Sequence, residues 1–384
     1  MRQPRAIWLV RENLLSDPGG DTTQILETKA ALERLGCAVR LESSPEFDAS
    51  GCDLVHLFHL DRLWEHMPVV RRLFRFGLPA VLSTIYWPGD EFDARGRLGL
   101  QGFLSRTFGP RVYPTLRLLQ RQALHSLRHA SLRGWGPSIF NFETAVQLLL
   151  GSVRVILPNS NAELDQIRGR FGAIPPAVVV PNAADTKIYN PPAPDSPNER
   201  AGVLCVGRIE PRKNQLALIR ALAGTGVPLT LVGKAGRFSA EYHRQCLAAA
   251  GPSVTVLDHR SPRELRDLYH RSCVHACVSW YETPGLASLE AGCCGCALVT
   301  TPGGCTHEYF GDAAHMCDPA DTSSIRDAVM RALRSSPEPA LALRLSQRFT
   351  WDQAALATLR GYRVALGLES PADQCSTITN TPRI

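Results

Sequence analysis

Apolar residues along this chain recur with two spacings. Runs of four to six, bounded by glycine, proline or polar turns, read as strands buried on both faces. Between them, apolar positions recur every three or four residues, as on one side of a helix. The first half predicts strands over 6–11, 38–42, 54–58, 80–85, 153–157 and 178–180, and helices over 22–35, 63–76 and 161–171. The second half predicts strands over 203–206, 229–232, 254–257, 273–279 and 297–301. Its helices are predicted over 214–222, 239–250 and 262–269, from Thr283 onward, and over 322–333, 340–348 and 351–366. Alternating strands and helices build doubly wound parallel sheets, so the expected class is α/β. The Pro-, Asn- and Asp-rich stretch 184–200 interrupts the alternation and reads as a linker. The expected organisation is a Rossmann-like domain over 1–183, the linker, a second such domain over 201–348, a last helix over 349–366 and a disordered polar tail over 367–384. Two such sheets are expected to face each other across a cleft at their carboxyl ends, where ligands of these folds bind.

Composition changes this picture little. With 384 residues the chain has material for two cores, and 44% hydrophobic with 20% charged residues is ordinary for a globular protein. No apolar run approaches the ~18 residues of a membrane span. The start, MRQPRAIWLVREN, has five apolar residues before Arg11, which is short for a signal peptide. The 12 cysteines are scattered through apolar runs without paired C-x-x-C spacing, so they read as buried free thiols of a reducing cytoplasm rather than zinc ligands. The net charge of +6 is unevenly placed: between Ala94 and Phe142 there are eight arginines and no acid. Arg117, Arg121 and Arg128, spaced among Leu118, Leu124, Leu127 and Leu132, suggest a helix with basic and apolar sides. Segment 95–133 could lie on an anionic membrane face and collect a lipid-linked acceptor, or cover the first sheet as a solvated helix. No nucleic-acid module is recognised, so nucleic acid is not an expected partner.

The turns after the strands carry the candidate chemistry. After strand 203–206 comes Gly207-Arg208-Ile209-Glu210-Pro211-Arg212-Lys213, in which an arginine fork and a lysine point charge suit phosphate. A solvated basic turn would look similar. Gly19-Gly20 after the first strand would let bare backbone approach a phosphate. The stretch Cys273–Asp318 is the most informative. Thr283 reads as an N-cap with Pro284 at the first helical position, leaving the N–H groups of Gly285, Leu286 and Ala287 pointing off a strand end. A helix start of this kind favours anions. Glu290 lies roughly 7 Å further along the helix, about one ribose away. Glu282, just before the cap, would meet whatever hangs from the other side of the phosphates.

These residues resemble a family. Arg208 with Lys213 matches an R-x4-K pair and Glu282 with Glu290 an E-x7-E element of family 4 glycosyltransferases, the retaining group with the GT-B fold. Gly285-Leu286, Leu289-Glu290-Ala291, Gly303-Gly304, Glu308, Val180-Pro181-Asn182 and the Gly19-Gly20-Asp21 turn also match. The resemblance implies two facing Rossmann-like domains, with the last helix, 349–366, crossing back to the first. It implies that Arg208 and Lys213 bind and neutralise the departing diphosphate, with Gly20, Gly285 and Leu286 assisting. By the same resemblance Glu290 holds the ribose and Glu282 the donor sugar, with retention through front-face attack. Glu282 is therefore not assigned as a nucleophile. No Asp-x-Asp occurs, so neither metal nor cofactor is expected. The expected partners are a nucleotide sugar and a sugar or lipid-linked acceptor, in surface polysaccharide, glycolipid or glycoconjugate synthesis in the cytoplasm or at the membrane's inner face. Two departures stand out: Thr283-Pro284-Gly285 replaces a Phe-Gly approach, and Tyr86-Trp87-Pro88 stands where many relatives place an acceptor histidine. Tyr86, Trp87 and the nearby His59 are the acceptor-side candidates. A GT-B sugar-nucleotide epimerase and a non-catalytic scaffold are the alternative readings.

Overall fold

A computed structural model describes residues 2–129, 141–193, 199–236, 238–283, 285–335 and 338–371. Pro284, residues 130–133 of the arginine-rich segment, 194–198 of the expected linker and 372–384 of the expected tail lie outside the described residues. The chain divides into two compact units, one of 1–86, 114–181 and 352–384, the other of 87–113 and 182–351.

In the first unit, β1 (Arg5–Leu9), β2 (Ala38–Glu42), β3 (Leu54–Phe58), β4 (Ala80–Ser83) and β5 (Val155–Ile156) form one parallel sheet in the order β2-β1-β3-β4-β5. Helices α1 (Gly20–Arg34), α2 (Leu63–Phe76), the long α3 (Gly99–His129, broken at Gly109 and continuing into this unit from Pro114), α4 (Phe142–Leu150) and α5 (Asn161–Phe171) connect the strands. The central strand β3, LVHLF, is buried along its whole length, as a strand covered on both faces must be. The core combines Ile7, Val55, Leu57 and Leu82 from the sheet with Val69, Leu73, Val146 and Ile167 from the helices. The expected strand over 178–180 is instead extended chain, with a single bridge from Ala177 to Ile156. Pro176 and Pro181 flank it and Pro158 lies opposite, and none of these can donate a ladder hydrogen bond.

In the second unit, β6 (Val203–Val206), β7 (Leu229–Val232), β8 (Val254–Leu257), β9 (Val274–Ala276), β10 (Ala297–Thr300) and β11 (Ala314–Met316) form a parallel sheet in the order β11-β10-β9-β6-β7-β8. Here α6 (Gln215–Leu222), α7 (Ala240–Ala249), α8 (Pro262–Arg271), α9 (Leu286–Cys293), α10 (Thr306–Phe310), α11 (Thr322–Arg334) and α12 (Pro339–Arg348) alternate with the strands. Leu231, Val274, Val299, Leu218 and Val329 lie in one core layer and Leu204, Leu298, Leu289 and Phe310 in the other. α13 (Trp351–Ala365) is the last helix among the described residues, and from Asp352 it belongs to the first unit.

Each sheet reverses its direction of growth once. In the first the switch falls between β1 and β3, and in the second between β6 and β9. The turns leaving two adjacent strands diverge there, and open a crevice at the carboxyl edge.

Candidate functional site

In the second unit the turns after β6 and β9 meet at the switch point. Pro211–Lys213 forms one tight helical turn, and Asn214 reverses the chain in the left-handed region at φ 61°. The Asn214 side chain donates to the carbonyls of Pro319 at 2.7 Å and Val278 at 3.3 Å, fixing this turn against the exits of β9 and β11. The Trp280 N–H donates to the Arg212 carbonyl at 2.9 Å. So held, Lys213 Nζ donates to Glu282 Oε1 at 2.5 Å, and an Arg212 guanidinium nitrogen lies 3.7 Å from the same oxygen. Arg212 also donates to the Tyr281 carbonyl at 2.9 Å and to Glu210 Oε1 at 3.0 Å. Glu282 is buried, which by itself raises its pKa. Lys213 and Arg212 outweigh that burial and hold the carboxyl down at about 2. Arg208 stands more exposed, 3.9 Å from Glu210. Its carbonyl accepts from the Gln215 amide at 2.8 Å. Three cations, Arg208, Arg212 and Lys213, thus surround two carboxylates, Glu210 and Glu282, leaving a net positive crevice.

The backbone of Glu282 is clamped by a glycine pair. Its N–H donates to the Gly303 carbonyl at 3.1 Å, and its own carbonyl accepts from the Cys305 N–H at 2.9 Å. A Cβ on Gly304 would lie 1.9 Å from that carbonyl oxygen, and one on Gly303 2.1 Å from the Trp280 carbonyl. The expectation of an N-cap at Thr283 is corrected here. α9 begins at Leu286, and its N-cap is Gly285, at φ 88° with no side-chain cap. That left-handed conformation is open to glycine and strained for threonine. The first N–H groups of α9, on Leu286 and Ala287, have no partner within the helix. Glu290, on the same helix, accepts from the Tyr269 hydroxyl at 3.1 Å, and burial pushes it up to about 7. Lys213 and Glu282 are therefore in contact, Arg208 stands beside Glu210, and Glu290 is held separately by Tyr269.

The first unit gathers a second group at its own switch point. Arg11, just past β1, grips Asp21 in the first turn of α1 at 2.7 and 3.2 Å. His59, just past β3, brings Nε2 to 3.3 Å from Asp21 Oδ2. Burial works to raise Asp21, but the contacts of His59 and Arg11 hold it well below the usual carboxylate range. His59 sits at φ 70°, uncommon outside glycine, with its carbonyl and that of Phe58 each 2.9 Å from His66 Nε2. Gly20 is the exposed first residue of α1, with Gly19 as its N-cap. Tyr86, expected on the acceptor side, has its ring in the core against Phe171, and its N–H donates to Glu163 at 2.8 Å. Trp87 packs, partly buried, on the core of the second unit.

Sequence reasoning passed over Arg212, Tyr269 and Glu163. Arg212 lies within the basic turn already singled out, so the signal was present. Tyr269 finds Glu290 across 21 residues and looked like a helix-face aromatic. Glu163, in the first turn of α5, accepts from Thr84, Tyr86 and Asn159, and burial pushes it up to about 7.

Residues 189–348 match the family model for glycosyl transferases group 1. The chain is similar to D-inositol 3-phosphate glycosyltransferase of Rhodococcus opacus, 27% identical over 236 residues that make up 55% of this chain and 53% of that one. It spans about half the length of the curated relatives it matches. In structure it is similar to sucrose-phosphate synthase from Thermosynechococcus elongatus, with TM-score 0.71, 18% identity and coverage of 96% of this chain and 100% of that one. It is also similar to HepE of Anabaena in complex with UDP and glucose, with TM-score 0.63, 16% identity and coverage of 93% and 98%. These likenesses, with parallel sheets of five and six strands, are those of the GT-B fold expected from the sequence.

Proposed function

We propose, from the premise that residues 189–348 are a domain of the glycosyl transferases group 1 family, that this protein is a retaining glycosyltransferase. It would move a sugar from a nucleotide diphosphate to a hydroxyl acceptor in the synthesis of a surface polysaccharide, glycolipid or other glycoconjugate. The observation that carries this reading is the Lys213–Glu282 pair in a net positive crevice, beside the open start of α9.

In this reading Arg208 and Lys213 bind the diphosphate and neutralise it as it leaves, where charge develops in the transition state. The Gly285 and Leu286 N–H groups add the positive end of a helix. Glu290, oriented by Tyr269, accepts hydrogen bonds from the ribose. Glu282 is kept ionised by its two cations and takes a hydroxyl of the donor sugar near its anomeric carbon. When a diphosphate arrives, it competes with Glu282 for Lys213, so donor binding and sugar positioning are coupled through one ammonium group. The leaving phosphate oxygen accepts the acceptor's proton in front-face attack, and the cations already present make a metal unnecessary. Acceptor binding falls to His59 of the first unit, held beside Asp21. The free, mostly buried thiols suit the reducing cytoplasm, where nucleotide sugars are available.

The test is calorimetric titration with UDP, GDP, ADP and CMP, with and without EDTA, on wild type and Arg208→Ala. UDP is the first choice, because the HepE structure holds it. One diphosphate binding selectively, unchanged by EDTA and weakened in the variant, is expected. Absence of binding by every nucleotide overturns the proposal.

A further inference from the structure

The part of α3 that belongs to the second unit is inside out. The positions of 99–108 that are buried are Gly102 and Ser105, the smallest side chains available. A Cβ on Gly102 would lie 2.1 Å from the Arg97 carbonyl, and Ser105 Oγ donates to the Asp93 carbonyl at 2.5 Å. Arg97 completes this inner face. It donates to Asp93 Oδ1 at 2.6 Å, with its guanidinium 4.7 Å from the Phe92 ring centre and 5.6 Å from that of Tyr113. Most of the large apolar side chains point the other way, Leu104 being half-buried. Leu98, Leu100, Phe103, Phe108 and Val112 are 54, 73, 62, 43 and 47% exposed. Arg106 and Arg111 are exposed among them, and the helix breaks at Gly109, φ 66° and ψ 179°.

A surface helix of a globular protein buries its large apolar residues and exposes its polar ones. Here Gly102, Ser105 and Arg97 supply inner contacts, whereas Leu98, Leu100, Phe103, Phe108 and Val112 are left exposed. Such an exposed apolar face marks an interaction surface. Its charge selects the partner, since arginines border it and no acid occurs between Ala94 and Phe142. We propose that residues 98–112 dock in the plane of an anionic lipid bilayer. Leu100, Phe103 and Phe108 would enter the headgroup–acyl boundary, and Arg106 and Arg111 would meet lipid phosphates. No helix among the described residues is long and apolar enough to cross a membrane. The docking needs nothing from the transfer chemistry. It extends that reading by placing the enzyme where a lipid-linked acceptor lies.

The full-length protein is floated with vesicles of phosphatidylcholine alone and of phosphatidylcholine mixed one-to-one with phosphatidylglycerol. Preferential binding to the phosphatidylglycerol vesicles, falling with added salt, is expected. Phe103→Ser with Phe108→Ser should weaken it by about tenfold or more, and Arg106→Gln with Arg111→Gln by roughly fivefold per charge. These side chains are exposed, so circular dichroism and UDP titration of each variant should match wild type. That match separates a failure here from a failure of the catalytic reading. Binding indifferent to phosphatidylglycerol, or equal for wild type and the phenylalanine variant, overturns the proposal. So does a concentration-dependent dimer in ultracentrifugation that the phenylalanine variant dissociates, because it assigns the face to a second copy.

Discussion

At the scale of single residues, Glu282 and Glu290 have opposite electrostatics, and the roles proposed for them rest on that difference. Two cations hold Glu282 at about 2, whereas burial lifts Glu290 to about 7. Glu282→Gln should lower kcat by about 10²–10³ with nucleotide affinity undiminished, because the substitution releases Lys213 toward the diphosphate. Glu290→Ala should raise the nucleotide Kd by roughly 10–100-fold, through lost charge-assisted bonds to the ribose. Equal losses of binding in both variants would contradict those roles. Glu290 also sets a pH dependence. Its carboxylate form is the better acceptor for a diol, so nucleotide affinity in wild type should climb as pH rises through about 7 and then level off. In Glu290→Gln the climb should vanish. Stability runs the other way. An acid raised from 4.5 to about 7 on folding binds more protons folded than unfolded across that window, so rising pH erodes stability there. Thermal unfolding of Glu290→Gln should therefore converge with wild type near pH 4.5 and exceed it above pH 7, by an amount of the order of 3 kcal/mol.

At the scale of elements, the site depends on turns that bring two strand exits together. The tightest of them is Gly303-Gly304 under Glu282. Gly304→Ala puts a methyl 1.9 Å from the Glu282 carbonyl at φ 104°, so that turn must open. A loss of about 2–4 kcal/mol in chemical denaturation is expected, with transfer lost more steeply than fold. An unchanged melting curve would show that the clamp is slack. The same elements show how far the sequence could be read. β2, β3, α2, α5, β6, β7 and β8 have the ends that hydrophobic spacing predicts, since each is a run bounded by glycine, proline or polar residues. Short elements such as α10 and β11 escaped, because three to five residues complete no period. The basic turn stood out as charge at a strand end, and the two glutamates only through their spacing about a helix start. Their partners did not: Tyr269 reaches Glu290 only once α8 and α9 pack, and Arg212 reaches Glu282 only because the sheet reverses between β6 and β9. Thr283 was misjudged as the cap because composition cannot reveal that Gly285 has a positive φ.

At the scale of the whole molecule, the chain finishes the first unit last. From Asp352 onward α13 belongs to the unit that began at the other end of the sequence, and one buried hydroxyl ties it in. Tyr362 Oη accepts from the Trp8 indole N–H at 2.7 Å and shares a hydrogen bond with His56 Nδ1 at 2.8 Å, and His56 Nε2 shares one with Ser83 Oγ at 2.8 Å. The indole is only a donor, so it takes one lone pair of the tyrosine hydroxyl, and the buried imidazole is neutral with one ring nitrogen protonated. Burial presses that histidine down to about 3, so the network persists at neutral pH. Strands β1, β3 and β4 and the last helix therefore share one polar chain inside an apolar core. Tyr362→Phe leaves the Trp8 N–H and His56 Nδ1 buried without partners, at a cost of about 1–3 kcal/mol for each stranded group. Because β1 and β3 flank the first unit's switch point, the same change should slacken the His59–Asp21 contact. Denaturant unfolding of Tyr362→Phe should shift its midpoint by the amount those two groups dictate. Hydrogen exchange should speed up in β1, β3 and α13 together, while the amides of β6 and β9 keep wild-type rates. Faster exchange confined to α13 would mean that the last helix is an appendage to the first unit rather than part of its core.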